Sequence, residues 1–231
     1  MKDFINVSPL RILELSSSKG LGPGNLGVLM ARAGVGKTAC LIHIAFDRLF
    51  RHGKLVHVSL EDVPEKVTSY YNVIFSDLVK ALEIKDENEK KMLLDRNRMI
   101  LAYLNDSFQM ERFRNNLKNL IEQIEFSPDS IIVDGINFEN ADRETFDGFK
   151  RVAEEFETEI WFSALSHRHI PDINERGIPY PCDRVDDILS IIIQLQPTKE
   201  GIFLRLLKDH DHEVKPDSFV PLDPNTFLVA P

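Results

Sequence analysis

The segment ARAGVGKT, at residues 31–38, is the feature that most constrains the fold of this chain. It follows the apolar run GVLM at 27–30 and precedes a stretch, 39–49, in which apolar residues recur at helical intervals. Gly34 and Gly36 give the connection the conformational freedom that a tight loop needs. A strand, a glycine-containing loop and a helix in this order predict a βα unit.

Strand and helix patterns alternate through most of the remaining sequence. Short apolar runs that indicate strands lie at 54–62, 99–106, 129–137, 159–169, 187–197 and 201–209. Helical patterns lie at 64–82, 107–126 and 143–157. We therefore predict an α/β fold with a mainly parallel twisted sheet, helices on both of its faces and a C-terminal antiparallel hairpin.

The other segments fit around one domain that spans residues 1–231. Residues 1–25 form a lead-in that ends in a turn cluster rich in Gly, Pro and Ser. The charged run at about 84–98 predicts a solvated helix or an exposed insertion. For the helix that follows, we predict Ser107 as the N-cap and Glu111 in the first turns.

Composition excludes several classes of protein. The chain has 28 Lys and Arg against 37 Asp and Glu, a net charge of −9 that disfavours nucleic acid as a partner. Cys40 and Cys182 lie far apart and are predicted to pack as small apolar residues. No apolar run approaches the roughly 20 residues of a membrane span, and no signal peptide is recognisable, so we expect a cytoplasmic protein without a membrane partner.

The residue types in ARAGVGKT suit the binding of a nucleotide's phosphates. Backbone N–H groups surround the anion, Lys37 reaches the outer phosphates, the hydroxyl of Thr38 contacts Mg²⁺, and the following helix adds its dipole. Ala31 replaces the usual first glycine at the entry to the turn, where no side chain acts. The predicted nucleotide contacts are Ala31, Arg32, Ala33, Gly34, Val35, Gly36, Lys37, Thr38 and Ala39.

Asp134 is the predicted second ligand of the metal. It follows four strand residues in SIIVDG, the pattern of a Walker B motif, in which a buried strand aims one carboxylate at the metal shell. The alternative is an aspartate that only begins a turn, because Asp-Gly pairs favour turns.

Glu61 is the candidate base for hydrolysis, which needs a group that orients or deprotonates water. It ends the strand after the loop helix, so we expect it at the sheet edge that also holds Thr38 and Asp134. The alternatives are an exposed loop carboxylate and the neighbouring Asp62.

The order of GVLMARAGVGKT, LVHVSLED, SIIVDG and IWFSALSH resembles the RecA-like ATPase superfamily, within it the KaiC and replicative DnaB-type helicase branches. The resemblance covers about residues 20–220. It implies ATP as the nucleotide, Glu61 as the catalytic base and a homo-oligomeric, hexameric ring. It also implies a sensor of the γ-phosphate after the next strand, where His167 stands, with Arg168 as a further candidate. A hydrogen-bonded loop histidine is the alternative for His167.

The same relatives supply a Lys-x-Arg pair to the ATP of a neighbouring subunit. Lys208 and His210 stand at the corresponding positions, so the lysine is retained and histidine replaces arginine. The alternative for Lys208 is an ordinary surface lysine.

These observations lead to three hypotheses of function. The first is Mg²⁺-dependent ATP binding with slow hydrolysis, coupled to assembly or to the regulation of a protein partner. The second is a regulatory module that binds ATP and does not turn it over, which His210 favours. The third is a helicase or recombinase that acts on DNA, which the net charge of −9 disfavours.

Overall fold

A computed structural model describes residues 4–16, 20–104, 107–166 and 173–230 of the chain. These ranges contain one sheet and α-helices that alternate with its parallel strands. The strands are β1 Leu26–Ala31, β2 Leu55–Ser59, β3 Arg98–Ala102, β4 Ser130–Asp134, β5 Glu159–Leu165, β6 Leu189–Pro197, β7 Ile202–Asp209 and β8 Phe219–Leu222. The helices are α1 Lys37–Phe50, α2 Pro64–Leu82, α3 Glu87–Arg96, α4 Met110–Ile124 and α5 Arg143–Glu155.

The sheet has the strand order β3-β2-β4-β5-β1-β6-β7-β8. Its first six strands pair in parallel, whereas β7 is antiparallel to β6 and β8 is antiparallel to β7. The predicted mainly parallel sheet with a C-terminal hairpin is confirmed. In this order β5 lies between β1 and β4, so it separates the strand before the loop from the strand that ends in Asp134.

Helices cover both faces of the sheet. Alternate residues of each strand face opposite ways, and apolar residues on both sides pack against helices. On β1, Leu29 belongs to a buried cluster that includes Leu41 of α1. Val28, its neighbour, belongs to a second cluster that includes Phe113 of α4 and Phe149 of α5. The central parallel strands β1, β2, β4 and β5 are therefore buried on both sides, which explains why their sequences are rich in apolar residues.

The lead-in is part of the core. It forms two short 3-10 helices, Phe4–Val7 and Pro9–Leu15, and it buries Ile12 completely. The charged run forms α3, which is mostly exposed and buries Leu94 alone, as the helical alternative predicted. No described helix has both the length and the apolar composition that crossing a membrane requires.

Two details of the sequence interpretation need correction. The N-cap of α4 is Gln109 and makes no side-chain cap, so the prediction of Ser107 was wrong. The Ser107 N–H instead donates to the Leu104 carbonyl at 3.1 Å, before the helix begins. The edge strand β8 was not predicted, because it is short and contains Pro221, a residue that sheets tolerate mainly at their edges.

Candidate functional site

Four parallel strands bring the predicted site residues to one edge of the sheet. The carboxyl ends of β1, β2, β4 and β5 lie together there, because these strands run side by side in one direction. The loop at 31–38 leaves β1 at this edge, and Asp134 is the last residue of β4. This is the edge where open parallel sheets usually bind ligands.

The loop is built to present backbone N–H groups. Gly36 is the N-cap of α1 and has φ +98°, a left-handed conformation that favours glycine. The first helical hydrogen bond runs from the Cys40 N–H to the Gly36 carbonyl at 3.0 Å. The N–H groups of Lys37, Thr38 and Ala39 therefore have no partner within the helix and are available to an anion.

Lys37 extends from the loop toward the ends of β5 and β4. Its Nζ donates to Ser163 Oγ at 3.0 Å and lies 3.8 Å from Asp134 Oδ1. Both charged side chains are only partly exposed, at 21% for Lys37 and 17% for Asp134. The Lys37 ammonium is therefore attracted by the Asp134 carboxylate but is not in a close ion pair with it. A phosphate could bind the ammonium without displacing such a pair.

The two carboxylate oxygens of Asp134 have different partners. Thr38 Oγ1 donates to Oδ2 at 3.3 Å, and Ser163 Oγ donates to Oδ1 in a short hydrogen bond. The backbone N–H of Gly135 also points at Ser163 Oγ, at 3.4 Å. The motifs predicted Lys37, Thr38 and Asp134 separately. In the structure, Thr38 bonds to Asp134 directly, and Ser163 connects Lys37 to Asp134.

Ser163 is the residue that the motif analysis missed. It lies on β5, between the strands that carry the loop and Asp134, and it is 1% exposed. The available signal was a hydroxyl inside the apolar strand IWFSAL, because a buried polar side chain needs a hydrogen-bond partner. Its partners lie on two other segments, which a linear motif does not reveal.

Glu61 lies at the same edge, two residues beyond β2, and packs against the backbone of Gly135. A Cβ added to Gly135 would lie 2.8 Å from Glu61 Cγ, so only glycine allows this approach. Asp62, the alternative, is engaged elsewhere: its carboxylate accepts from Lys66 Nζ at 2.6 Å. The structure therefore places Glu61, rather than Asp62, beside the residue that follows Asp134.

A cavity of about 280 Å³ joins Glu61 to Lys37. The loop after β4, the end of β5 and Pro181 complete its walls. The residues that line it are Lys37, Glu61, Gly135, Ile136, Asn137, Phe138, Glu139, Leu165 and Pro181. A terminal phosphate held by Lys37 would face Glu61 across this space.

The predicted sensor lies outside the described residues. Strand β5 ends at Leu165, and the Ser166 N–H donates to the Ala31 carbonyl at 2.9 Å. His167 and Arg168 follow in the segment 167–172, so their predicted contacts with phosphate stay predictions.

Lys208 and His210 lie at the opposite edge of the sheet. Strand β7 runs antiparallel to β6, and Lys208 pairs with Ile192 near the beginning of β6. Lys208 Nζ donates to the Asp186 carbonyl at 2.5 Å, and burial lowers the pKa of this lysine. The ring nitrogens of His210 face Asp209 Oδ1 at 2.8 Å and the Leu21 carbonyl at 3.1 Å. The structure does not bring either residue to the loop of its own chain.

The donor set at the loop fits a magnesium ion bound together with phosphates. Mg²⁺ usually takes one or two protein oxygens and completes its shell with phosphate oxygens and water. Thr38 Oγ1 and the Asp134 carboxylate supply such oxygens 3.3 Å apart. Within the described ranges, no three His, Cys, Asp or Glu side chains form a metal-binding group.

No model of a known protein family matches the chain, and no curated protein matches it.

Proposed function

We propose that the chain binds Mg·ATP at residues 31–39 and Asp134 and hydrolyses it slowly. One observation carries the proposal. Asp134 accepts from Thr38 directly and is connected to Lys37 through Ser163, beside a loop whose helix begins with free N–H groups. The cluster thus combines a cation for phosphate, oxygens for the metal and N–H donors for the anion.

Each residue has a separate role in the proposed reaction. The N–H groups of Lys37 to Ala39 bind phosphate oxygens, and the Lys37 ammonium neutralises charge on the outer phosphates. Thr38 and Asp134 hold Mg²⁺, which when bound withdraws charge from the phosphate oxygens. These groups stabilise the charge that develops on the oxygens of the γ-phosphoryl group and on the departing ADP.

Glu61 is the proposed base. It accepts a proton from water as the water oxygen attacks the γ-phosphorus, and the bond to ADP breaks. Glu61 is suited to this role because it lines the same cavity as Lys37. General bases of this kind contribute about 10²-fold to 10⁴-fold in rate.

The carboxylate pair Glu61 and Asp62 provides a matched test of hydrolysis. We expect Glu61→Gln to lower the rate of phosphate release at least about 100-fold and to preserve ATP affinity. Asp62→Asn, which removes a charge one residue away, leaves the rate within about twofold because Asp62 pairs with Lys66. Steady-state phosphate release by the two purified variants and the wild type measures both effects. Equal rates in Glu61→Gln and wild type contradict the assignment.

A second candidate function is an ATP-binding regulatory module with almost no turnover. The observation that favours it is the engagement of Lys208 and His210 by carbonyl oxygens of their own chain. Under this alternative, ATP binds tightly and phosphate release stays at background over a wide range of protein concentrations. Turnover that rises with protein concentration favours assembly with residues supplied by a neighbouring subunit.

A further inference from the structure

We propose that Phe227, in the turn that follows β8, is a positioning residue of the loop at 31–38. The inference rests on the proposed nucleotide function and assigns a part in it to the C-terminal segment 223–228. None of the sequence motifs includes this segment, which is separated from the loop by almost the whole chain.

The ring of Phe227 lies against Gly36. A Cβ added to Gly36 would be 2.1 Å from Phe227 Cζ and 2.6 Å from its Cε1. Gly36 therefore serves two purposes, since it adopts φ +98° and also leaves room for the aromatic ring. The contact lies directly before Lys37 and Thr38, so a shift of Gly36 moves the residues that hold phosphate and metal.

The outer part of the loop has little other apolar support. Arg32, Ala33 and Gly34 are exposed. Val35 and Phe227 are partly buried, and both pack against the same cluster as the apolar residues of α1. Phe227 therefore contacts both Gly36 of the loop and the core cluster.

The turn that carries Phe227 is held firmly. Asp223 Oδ1 accepts from the N–H groups of Asn225 at 3.0 Å and Thr226 at 2.8 Å, and these bonds help to lower the pKa of Asp223. The Phe227 N–H donates to the Asp223 carbonyl at 2.8 Å. Phe227 has φ +54°, a conformation that a bulky residue keeps only where its surroundings impose it.

The segment after Phe227 fixes the turn to the rest of the protein. Leu228 is 6% exposed and belongs to the same core cluster. The Val229 N–H donates to the Val7 carbonyl of the lead-in at 2.8 Å. The loop, the C-terminal turn and the lead-in are consequently one connected unit.

Removal of the ring would leave space that the neighbours do not fill. A cavity of about 130 Å³ already adjoins Phe227, between Ala39 and His43 of α1 and Asn225 of the turn. In Phe227→Ala the volume of the ring would join this cavity, and Gly36 would lose its contact. Small displacements of binding groups are costly, since an error of about 1 Å can lower activity about 100-fold.

The test compares two truncations in the same core cluster. Phe227→Ala removes the side chain on the loop, whereas Leu82→Ala removes a buried side chain at the end of α2, outside the C-terminal turn. The probes are Mg·ADP and inorganic tripolyphosphate, titrated calorimetrically, and urea unfolding measures the stability of each variant. We expect Phe227→Ala to weaken both ligands at least about tenfold and Leu82→Ala to leave both within about twofold, although both lose stability. Phe227→Leu, which keeps an apolar side chain beside Gly36, recovers most of the affinity.

Equal affinities of folded Phe227→Ala and wild type overturn the inference, as does an equal loss in both truncations. If Phe227→Ala does not fold, hydrogen exchange on the wild-type protein tests the inference instead. Saturating Mg·ADP is expected to slow amide exchange at 223–228 as well as in the loop, and protection of the loop alone contradicts the inference. A wild-type protein that binds neither probe overturns the proposed function itself.

Discussion

The two edges of the parallel sheet both hold lysine and aspartate side chains, but they use them differently. At the carboxyl edge, Lys37 and Asp134 meet through Ser163 and border a cavity. At the opposite edge, where the parallel strands begin and which we call the amino edge, Lys208 donates to the Asp186 carbonyl. Its ammonium therefore already has a partner in its own chain. The Lys37 side chain lines a cavity that a ligand could enter. The Lys208 side chain instead connects β7 to the segment before β6.

The difference shows why residue type alone does not identify a binding site. A lysine whose ammonium contacts a hydroxyl and a carboxylate 3.8 Å away can turn to a phosphate at modest cost. A half-buried lysine on a main-chain carbonyl leaves that carbonyl without a partner if it turns away. We therefore expect substitutions at the two edges to have separate effects.

The largest effect is expected from paired lysine substitutions. Lys37→Ala removes the cation at the loop and is predicted to weaken Mg·ATP binding at least about 100-fold, roughly 3 kcal/mol. Lys208→Ala, the matched substitution at the amino edge, is predicted to change affinity by less than about twofold in dilute protein. Equilibrium titration of ATP measures both, and a similar loss in the two variants would remove the distinction between the edges.

Buried histidines on the elements next to the site predict how stability depends on pH. Burial lowers the pKa of His43 on α1 and of His57 on β2 to about 4. The unfolded chain binds more protons between pH 6.5 and 4, so the free energy of unfolding falls as pH decreases through this range. We expect about 2 kcal/mol lost per histidine between pH 7 and pH 5.

Urea unfolding at the two pH values measures this loss. His43→Phe keeps an aromatic ring beside Phe4, which stacks on His43 with ring centroids 6.0 Å apart. The variant is therefore expected to lose less stability than the wild type on acidification, and an identical pH dependence contradicts the interpretation. Affinities at the two edges are best compared above about pH 7.5, where this loss of stability is small.

A smaller effect is expected at Ser163. Ser163→Ala removes the hydroxyl that donates to Asp134 Oδ1, so the carboxylate is no longer oriented toward Thr38 and the proposed Mg²⁺ position. Side chains that orient a metal ligand typically contribute 10-fold to 100-fold, and we expect the Mg²⁺ concentration for half-maximal ADP binding to rise about tenfold. ADP affinity measured without Mg²⁺ should stay nearly constant. If the Mg²⁺ concentration for half-maximal ADP binding is unchanged, Ser163 has no role in orienting Asp134.

The sequence predicted those parts of the molecule that depend on neighbouring residues. The periodicity of 64–82 predicted α2 with the correct ends, and the runs before Gly34 and Asp134 predicted β1 and β4. Because the carboxyl ends of parallel strands lie at one edge, the sequence predicted Glu61 at the same edge as Thr38 and Asp134.

The contacts that the sequence did not reveal join distant segments. Ser163 bridges Lys37 and Asp134 because β5 lies between β1 and β4 in the sheet. No single stretch of sequence indicates the order of the strands. Phe227 reaches Gly36 from a turn that resembles an ordinary surface loop. For Lys208, the family pattern indicated a residue type, and only the antiparallel direction of β7 placed it at the other edge.

The most direct test of the account is a calorimetric titration of the wild-type chain with ATP, in Mg²⁺ and again in EDTA. The account predicts one ATP site per chain, with an affinity that falls when Mg²⁺ is removed because Thr38 and Asp134 then hold no metal. The absence of binding at about 1 mM ATP in the presence of Mg²⁺, which corresponds to less than about 4 kcal/mol, would contradict it.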